Sequence, residues 1–180
     1  MKKIIIILIF LVTGVLVIFT VNYLMLGRPM ADVLKSDPRN SGIHMVAHYG
    51  YYLVPSVLVL DVKEVSREKS PADVFRVLLQ YASEIQTVEF EAVNLNSKGR
   101  TKFVLKGDYF QELGEEYGSQ NPVYTMRTFP ENVYTLDGKK AFPSWTGGLL
   151  GVTGKQIEDF TEFHKQWYIN DLKDGYVRNY

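Results

Sequence analysis

Residues 4–26 read IIIILIFLVTGVLVIFTVNYLML and directly follow the basic start Met1-Lys2-Lys3. The segment contains no charged side chain. An α-helix of about 20 apolar residues is long enough to cross the hydrocarbon core of a bilayer. Because lipid offers no partners to backbone amides, a run of this length is expected to be helical. The sequence therefore predicts a transmembrane anchor over residues 1–27, with the lipid bilayer as a partner.

The same segment also has the basic start of a cleaved signal peptide. A signal peptide has a shorter apolar part, of about 7–15 residues, and a small-residue cleavage site behind it. Here the apolar run is longer and no Ala-x-Ala pattern follows it. The chain contains no cysteine, which excludes a lipoprotein-type acylation site. We predict a permanent anchor, with cleavage as the alternative.

The basic residues around this segment predict its orientation. Lys2, Lys3 and the amino terminus all lie directly before it. Behind it, basic residues alternate with aspartates: Arg28, Lys35 and Arg39 with Asp32 and Asp37. Since positive charge concentrates on the cytoplasmic side, we expect a cytoplasmic N-terminus and an extracytoplasmic domain in the cell envelope.

Composition limits what the rest of the chain can be. The 180 residues include 20 basic and 20 acidic side chains, so nothing indicates a nucleic-acid-binding surface. Aromatic residues make up 13%, unlike a disordered chain. Beyond a linker with two prolines at residues 28–42, residues 43–180 have the length of one domain.

The hydrophobic pattern of that domain predicts an α+β fold. Strands are predicted at 54–65 and 123–129, a hairpin at 88–106, and helices at 70–86 and 108–118. A glycine-rich loop and a final helix from Thr153 complete the chain. The order β-α-β-β-α-β is compatible with a ferredoxin-like sandwich.

Two histidines are candidate metal ligands. His44 and His48 are four residues apart, which on a helix would place both imidazoles on one face. The surrounding β-branched and aromatic residues favour a strand, and no His-Glu-x-x-His motif is present. We therefore expect no metal site, and nothing in the sequence indicates a cofactor.

The segment TGGLLGVTGK, residues 146–155, is a candidate binding element. It does not match a phosphate-binding P-loop, because Leu149 and Gln156 occupy positions that require glycine and Ser or Thr. A helix start near a lysine can still attract an anion. Together with two tryptophans, these residues are the binding candidates: Trp145, Gly147, Gly148, Gly151, Gly154, Lys155 and Trp167.

The final helix carries the candidates for catalysis. Glu158 and Glu162 share one helical face, as an acid–base pair would require, and His164 is nearby. The polar face of an ordinary amphipathic helix explains the same pattern. No nucleophile motif such as G-x-S-x-G is present, so the sequence favours a protein without enzymatic activity.

Aromatic residues concentrate in the C-terminal third: Trp145, Trp167, Tyr168, Tyr176 and Tyr180. Such residues are typical of protein interfaces and of the membrane headgroup level. The sequence resembles no family that we recognise. The leading hypothesis is a membrane-anchored domain that binds other membrane or envelope proteins as an accessory subunit. The alternatives are a membrane-tethered hydrolytic or metal-dependent enzyme, and a ligand sensor or carrier.

Overall fold

One continuous helical segment leads from the N-terminus to the sheet. The computed structural model describes residues 2–172. Helix α1 (Lys2–Asn22) passes through a π-helical turn (Tyr23–Gly27) into α2 (Arg28–Ser36) without an irregular residue between them. The stretch Lys3–Ser36 is long and apolar enough to cross a membrane, by length and composition. The predicted long N-terminal helix is therefore present.

This helical segment changes character where it meets the domain. Along α1 the apolar side chains are mostly exposed, and Phe10, for example, is 75% exposed. Leu26, Met30 and Val33, by contrast, are buried in the domain core. The Tyr81 hydroxyl donates a hydrogen bond to the backbone oxygen of Leu26, at 3.1 Å. The second half of the segment is therefore a structural part of the domain.

The predicted linker over residues 28–42 is largely helical. The segment consists of α2 and a short 3₁₀ turn (Pro38–Asn40). Pro29 lies in the first turn of α2, directly after the π-helical turn, where its missing N–H removes one bond from the helical ladder. The division of the chain into anchor, linker and domain stays a prediction.

The sheet has four strands in the order β1-β2-β3-β4: β1 (Ile43–Gly50), β2 (Val54–Val65), β3 (Ala92–Ser97) and β4 (Arg100–Lys106). Its outer pairs are antiparallel hairpins, and β2 and β3 are parallel. Helix α3 (Pro71–Glu84) makes the crossover between the parallel strands. It begins as predicted, with a capping box in which Ser70 and Asp73 bond each other's backbone N–H.

Two predicted elements and the predicted element order differ from the structure. Residues 123–129 form no strand, because α5 (Pro122–Thr128) starts at an Asn121 cap and includes most of them. The final helix, α6 (Leu149–His164), begins before Thr153. A strand β1 precedes β2, so the element order differs from β-α-β-β-α-β and the ferredoxin-like arrangement is not confirmed. The α+β class is confirmed.

The core lies between the helices and one face of the sheet. Alternate strand residues point into it: Met45, Leu58, Leu60, Val62, Val93, Leu95, Phe103 and Leu105. Helix α4 (Gly107–Glu116) packs on α3, and α6 continues into a π-helical turn (Lys165–Ile169) beside β3. Phe75, Phe129 and Phe163 meet at ring-centroid distances near 5 Å. The residues of opposite parity form the other face of the sheet.

Candidate functional site

A groove runs across the face of the sheet that the core does not use. Its volume is about 620 Å³. All four strands and two turns contribute to its lining: His48, Gly50, Tyr51, Tyr52, Val54, Val57, Val59, Asp61, Lys63, Asn94, Asn96, Gly99 and Thr101. We call this cavity the outer groove. Its residues come from distant parts of the sequence, brought side by side by the parallel pairing of β2 and β3.

The floor of the outer groove is polar at its centre. Asp61 is only 1% exposed, and its carboxylate accepts hydrogen bonds from the backbone N–H of Gly99 at 2.9 and 3.1 Å. Lys63 lies 2.5 Å from the same carboxylate and balances its charge. Gly99 has a φ of 82°, which glycine adopts without strain in this tight turn. Asp61 therefore fixes the β3–β4 turn against β2.

Asn96 offers the groove an acceptor. The residue is 7% exposed, and within the described chain its Oδ1 has no hydrogen-bond partner. Its backbone oxygen accepts from Nε1 of Trp167 at 3.0 Å, so its backbone is held in place. A buried acceptor without a partner costs about 1–3 kcal/mol, which a ligand that donates a hydrogen bond would recover. Half-buried Asn94 lies on the same face, two residues away.

Aromatic rings form one end of the outer groove. The Tyr52 ring stacks on His48 with centroids 4.2 Å apart. Tyr51 and Tyr52 have φ angles of 47° and 62°, so a type I′ turn joins β1 to β2. Both ends of this turn region are tied to the long helix, since the Asn22 side chain bonds Tyr49 N–H at 2.8 Å and Tyr52 O at 2.9 Å. The groove and the N-terminal helix are thus structurally joined.

A second cavity, of about 410 Å³, lies between α3, α4 and α5. Arg39 and Arg76 are at its edge, but Asp37 contacts Arg39 at 2.7 Å and Asp73 contacts Arg76 at 2.9 Å. The hydrogen bonds from Arg39 lower the pKa of Asp37 well below its usual range. Both guanidinium groups are thus engaged in ion pairs within the domain. The outer groove remains the better binding candidate.

The two metal-ligand candidates lie on one strand. His44 and His48 both belong to β1, where residues four apart are separated by about 13 Å. That distance is too long for one metal ion to bind both imidazoles. Among residues 2–172, no three His, Asp or Glu side chains lie close enough to hold a metal.

The three catalytic candidates do not converge. His164 is fully buried, and its Nδ1 bonds the Phe160 oxygen at 2.9 Å. Burial lowers its pKa to about 4. Glu158 pairs with Lys155 at 2.8 Å, and Glu162 pairs with Lys165 at 3.3 Å. The buried imidazole and the exposed carboxylates therefore face different surroundings.

The glycine-rich binding candidates are also separated. Gly147 and Gly148 precede α6, whereas Gly151 and Gly154 lie within it. Lys155 is engaged by Glu158, as described above.

The two tryptophan candidates differ in burial. Half-buried Trp145 donates to Asp159 at 2.6 Å, with Nζ of Lys155 5.9 Å from its ring. Trp167 is 0% exposed and belongs to the core, so it cannot bind a partner at the surface. Tyr176 and Tyr180 lie outside the described residues.

Comparison with protein families, with curated proteins and with solved structures finds no match to this chain. The choice of the outer groove as the candidate binding site therefore rests on its geometry alone. Sequence reasoning missed it, although one signal was present: VLVLDVK and AVNLN each place polar residues inside a buried strand run. Polar side chains at such positions need partners, and here they line a cavity.

Proposed function

We propose that the chain is a single-pass membrane protein whose domain is extracytoplasmic and acts by binding, as an accessory subunit of a membrane protein assembly. The exposed surface of α1 carries this proposal. Its apolar side chains point outward on all sides, with exposures such as 71% at Ile4 and 61% at Leu16. A continuous apolar surface of this kind marks a membrane or interaction site. Lipid is the cover that fits a helix apolar all round.

The binding role rests on the outer groove. Its lining extends over all four strands, combines apolar Val57 and Val59 with the polar floor around Asp61, and is rimmed by tyrosines. Interfaces between proteins combine apolar, aromatic and hydrogen-bonding groups in this way. A surface of this kind favours a segment of another protein over a small molecule enclosed in a pocket, and therefore favours a subunit over a sensor or carrier.

The charges near the N-terminus favour a domain that lies outside the cytoplasm. Lys2 and Lys3 precede the span, and the basic residues that follow it lie among aspartates. Because the chain contains no cysteine, a single engineered cysteine can report on the orientation of the domain. An engineered Leu136→Cys in intact cells should react with a membrane-impermeant maleimide, because Leu136 is 66% exposed in the domain.

Mild solubilisation of native membranes tests the subunit role. Extracted in a gentle detergent, the tagged chain should migrate on a native gel as part of a larger complex. Asn94→Arg would place a long charged side chain in the outer groove and should release the chain from that complex. Ser119→Arg is the control, since Ser119 is exposed after α4 and does not line the groove. Migration of the unaltered chain alone would contradict the proposal.

A further inference from the structure

We propose that the turn between β1 and β2 together with the first residue of β2, residues 51–54, is a second membrane contact that inserts into the boundary between headgroups and acyl chains. We call these four residues the hairpin tip. The inference rests on the proposed membrane span of α1 and adds that the domain itself touches the same bilayer. Its occupant is lipid.

The hairpin tip exposes apolar side chains without any charge among them. Its sequence is Tyr-Tyr-Leu-Val, and Tyr51 and Leu53 are 90% and 66% exposed. Tyr52 and Val54 are also exposed, although less. Turn residues that face water are usually small or polar, such as Asn-Gly at these two positions of a type I′ turn. Tyrosine and leucine are instead typical of a surface that meets the membrane interface.

The hairpin tip lies directly beside the predicted span. The Tyr52 ring is 5.2 Å from the ring of Phe19 on α1. Asn22 is 4% exposed and holds the turn from both sides, through Tyr49 N–H and Tyr52 O. These bonds fix the height of the turn relative to the helix. The exposed apolar surface of α1 is therefore continuous with that of the hairpin tip.

The contact between Tyr52 and α1 determines how deep the hairpin tip lies in the bilayer. A span of about 20 residues that begins at Ile4 ends near Tyr23. Phe19 lies four residues before that end, which corresponds to about 6 Å along the helix axis. Tyr52, beside Phe19, thus lies within about 6 Å of the outer edge of the hydrocarbon, near the interface where tyrosine rings are enriched.

One consequence concerns the outer groove. Tyr51, Tyr52 and Val54 belong both to the hairpin tip and to the groove lining. That end of the groove therefore opens at the membrane surface. A partner protein that binds at this end of the outer groove would do so with a segment that lies close to the partner's own membrane span.

Site-specific labelling of the full-length chain tests this contact. Leu53→Cys and Leu136→Cys are a matched pair, because both leucines are 66% exposed and lie in turns. Each variant is labelled with an environment-sensitive fluorophore (NBD) and reconstituted into phosphatidylcholine–phosphatidylglycerol vesicles that contain spin-labelled lipid. We expect blue-shifted emission at Leu53→Cys and quenching about threefold or more stronger than at Leu136→Cys.

A third label separates this inference from the proposed function. Leu16→Cys reports on the span itself, and its quenching is expected in either case. If Leu16→Cys is not quenched, the membrane span is wrong. If it is quenched while Leu53→Cys resembles Leu136→Cys, only the hairpin contact is overturned. Tyr51→Cys, at a 90% exposed position, gives a second reporter in the hairpin tip should labelling at Leu53 impair folding.

Discussion

Two helices reach the sheet through a π-helical turn, and the two junctions are held differently. One turn, Tyr23–Gly27, follows α1, and the other, Lys165–Ile169, follows α6. A buried polar residue precedes each of them, Asn22 at the first and His164 at the second. π-Helical turns shift the helical register, and here each brings a large buried residue, Leu26 or Trp167, to the sheet.

The difference between the junctions lies in their hydrogen bonds. The Asn22 side chain bonds its own helix at Ile18 O and also the distant β1–β2 turn, so it ties two elements together. His164 bonds only its own helix, at Phe160 O, and its Nε2 has no partner among the described residues. Aromatic contacts and one Trp167 hydrogen bond therefore hold the second junction. Polar ties should make the first junction tolerant of acid, whereas the second should be sensitive to it.

The largest expected effect on stability comes from removing the aromatic side chain at the second junction. Trp167→Ala removes a fully buried indole and should lower the free energy of unfolding by about 4 kcal/mol. Trp145→Ala is the matched control and should cost less than about 1.5 kcal/mol, because Trp145 is only half-buried. Denaturant unfolding of the full chain in detergent, followed by circular dichroism, measures both. Equal losses would show that the second junction does not depend on its aromatic core.

The second-largest expected effect is the weakening of the second junction by acid. Burial lowers the pKa of His164 from its ordinary value of 6.5 to about 4, so only the unfolded chain is protonated between these values. Stability should be complete above pH 6.5 and should fall by about 3 kcal/mol as the pH drops to 4.

The matched variant for this acid effect is His164→Asn, which keeps a donor for Phe160 O but does not titrate. The difference between the two unfolding profiles isolates His164, since the carboxylates are the same in both chains. Parallel profiles from pH 7 to 4 would exclude a buried, neutral imidazole.

The smallest of the three effects concerns the polar junction. Asn22→Ala leaves Tyr49 N–H and Tyr52 O without their partner and should cost about 2 kcal/mol. Thr20→Ala is the control, because Thr20 bonds only Leu16 O of its own exposed helix turn. The same unfolding measurement should show almost no change for this control. A comparable cost in both variants would mean that Asn22 does not tie the helix to the turn.

Local signals in the sequence predicted the elements that depend on local chemistry. The helix that starts after Ser70 and the hairpin within residues 88–106 depend on short-range signals, and both are present as predicted. Helix α5 was missed although Asn121 and Pro122 are helix-start residues, because its alternating apolar pattern is typical of a strand. Seven residues are too few to reveal a helical period. Similarly, α2 was missed because it is short and its apolar side consists of few residues, Met30, Val33 and Leu34.

The outer groove depends on contacts between distant residues. Asp61 and Gly99 are 38 positions apart and meet only because β2 and β3 pair in parallel. From the sequence, Trp167 was a candidate for binding a partner at the surface. Its burial results from its packing beside β3 and its hydrogen bond to the Asn96 oxygen, and neither contact can be read from the sequence. Sequence patterns show which side chains are polar or aromatic. They do not show which of these residues meet across a sheet.

Helix α1 would couple the orientation of the domain to its own tilt in the membrane. The helix extends about 30 Å from Lys2 to Asn22, and Asn22 and Leu26 hold the end of α1 against the domain. Membrane-spanning helices adjust to bilayer thickness by tilting, with an average tilt of about 20°. In the proposed setting, α1 contains no proline or π-helical turn before Asn22 that would absorb such a change. A thicker or thinner membrane would swing the entire domain and alter the angle at which it meets a neighbour.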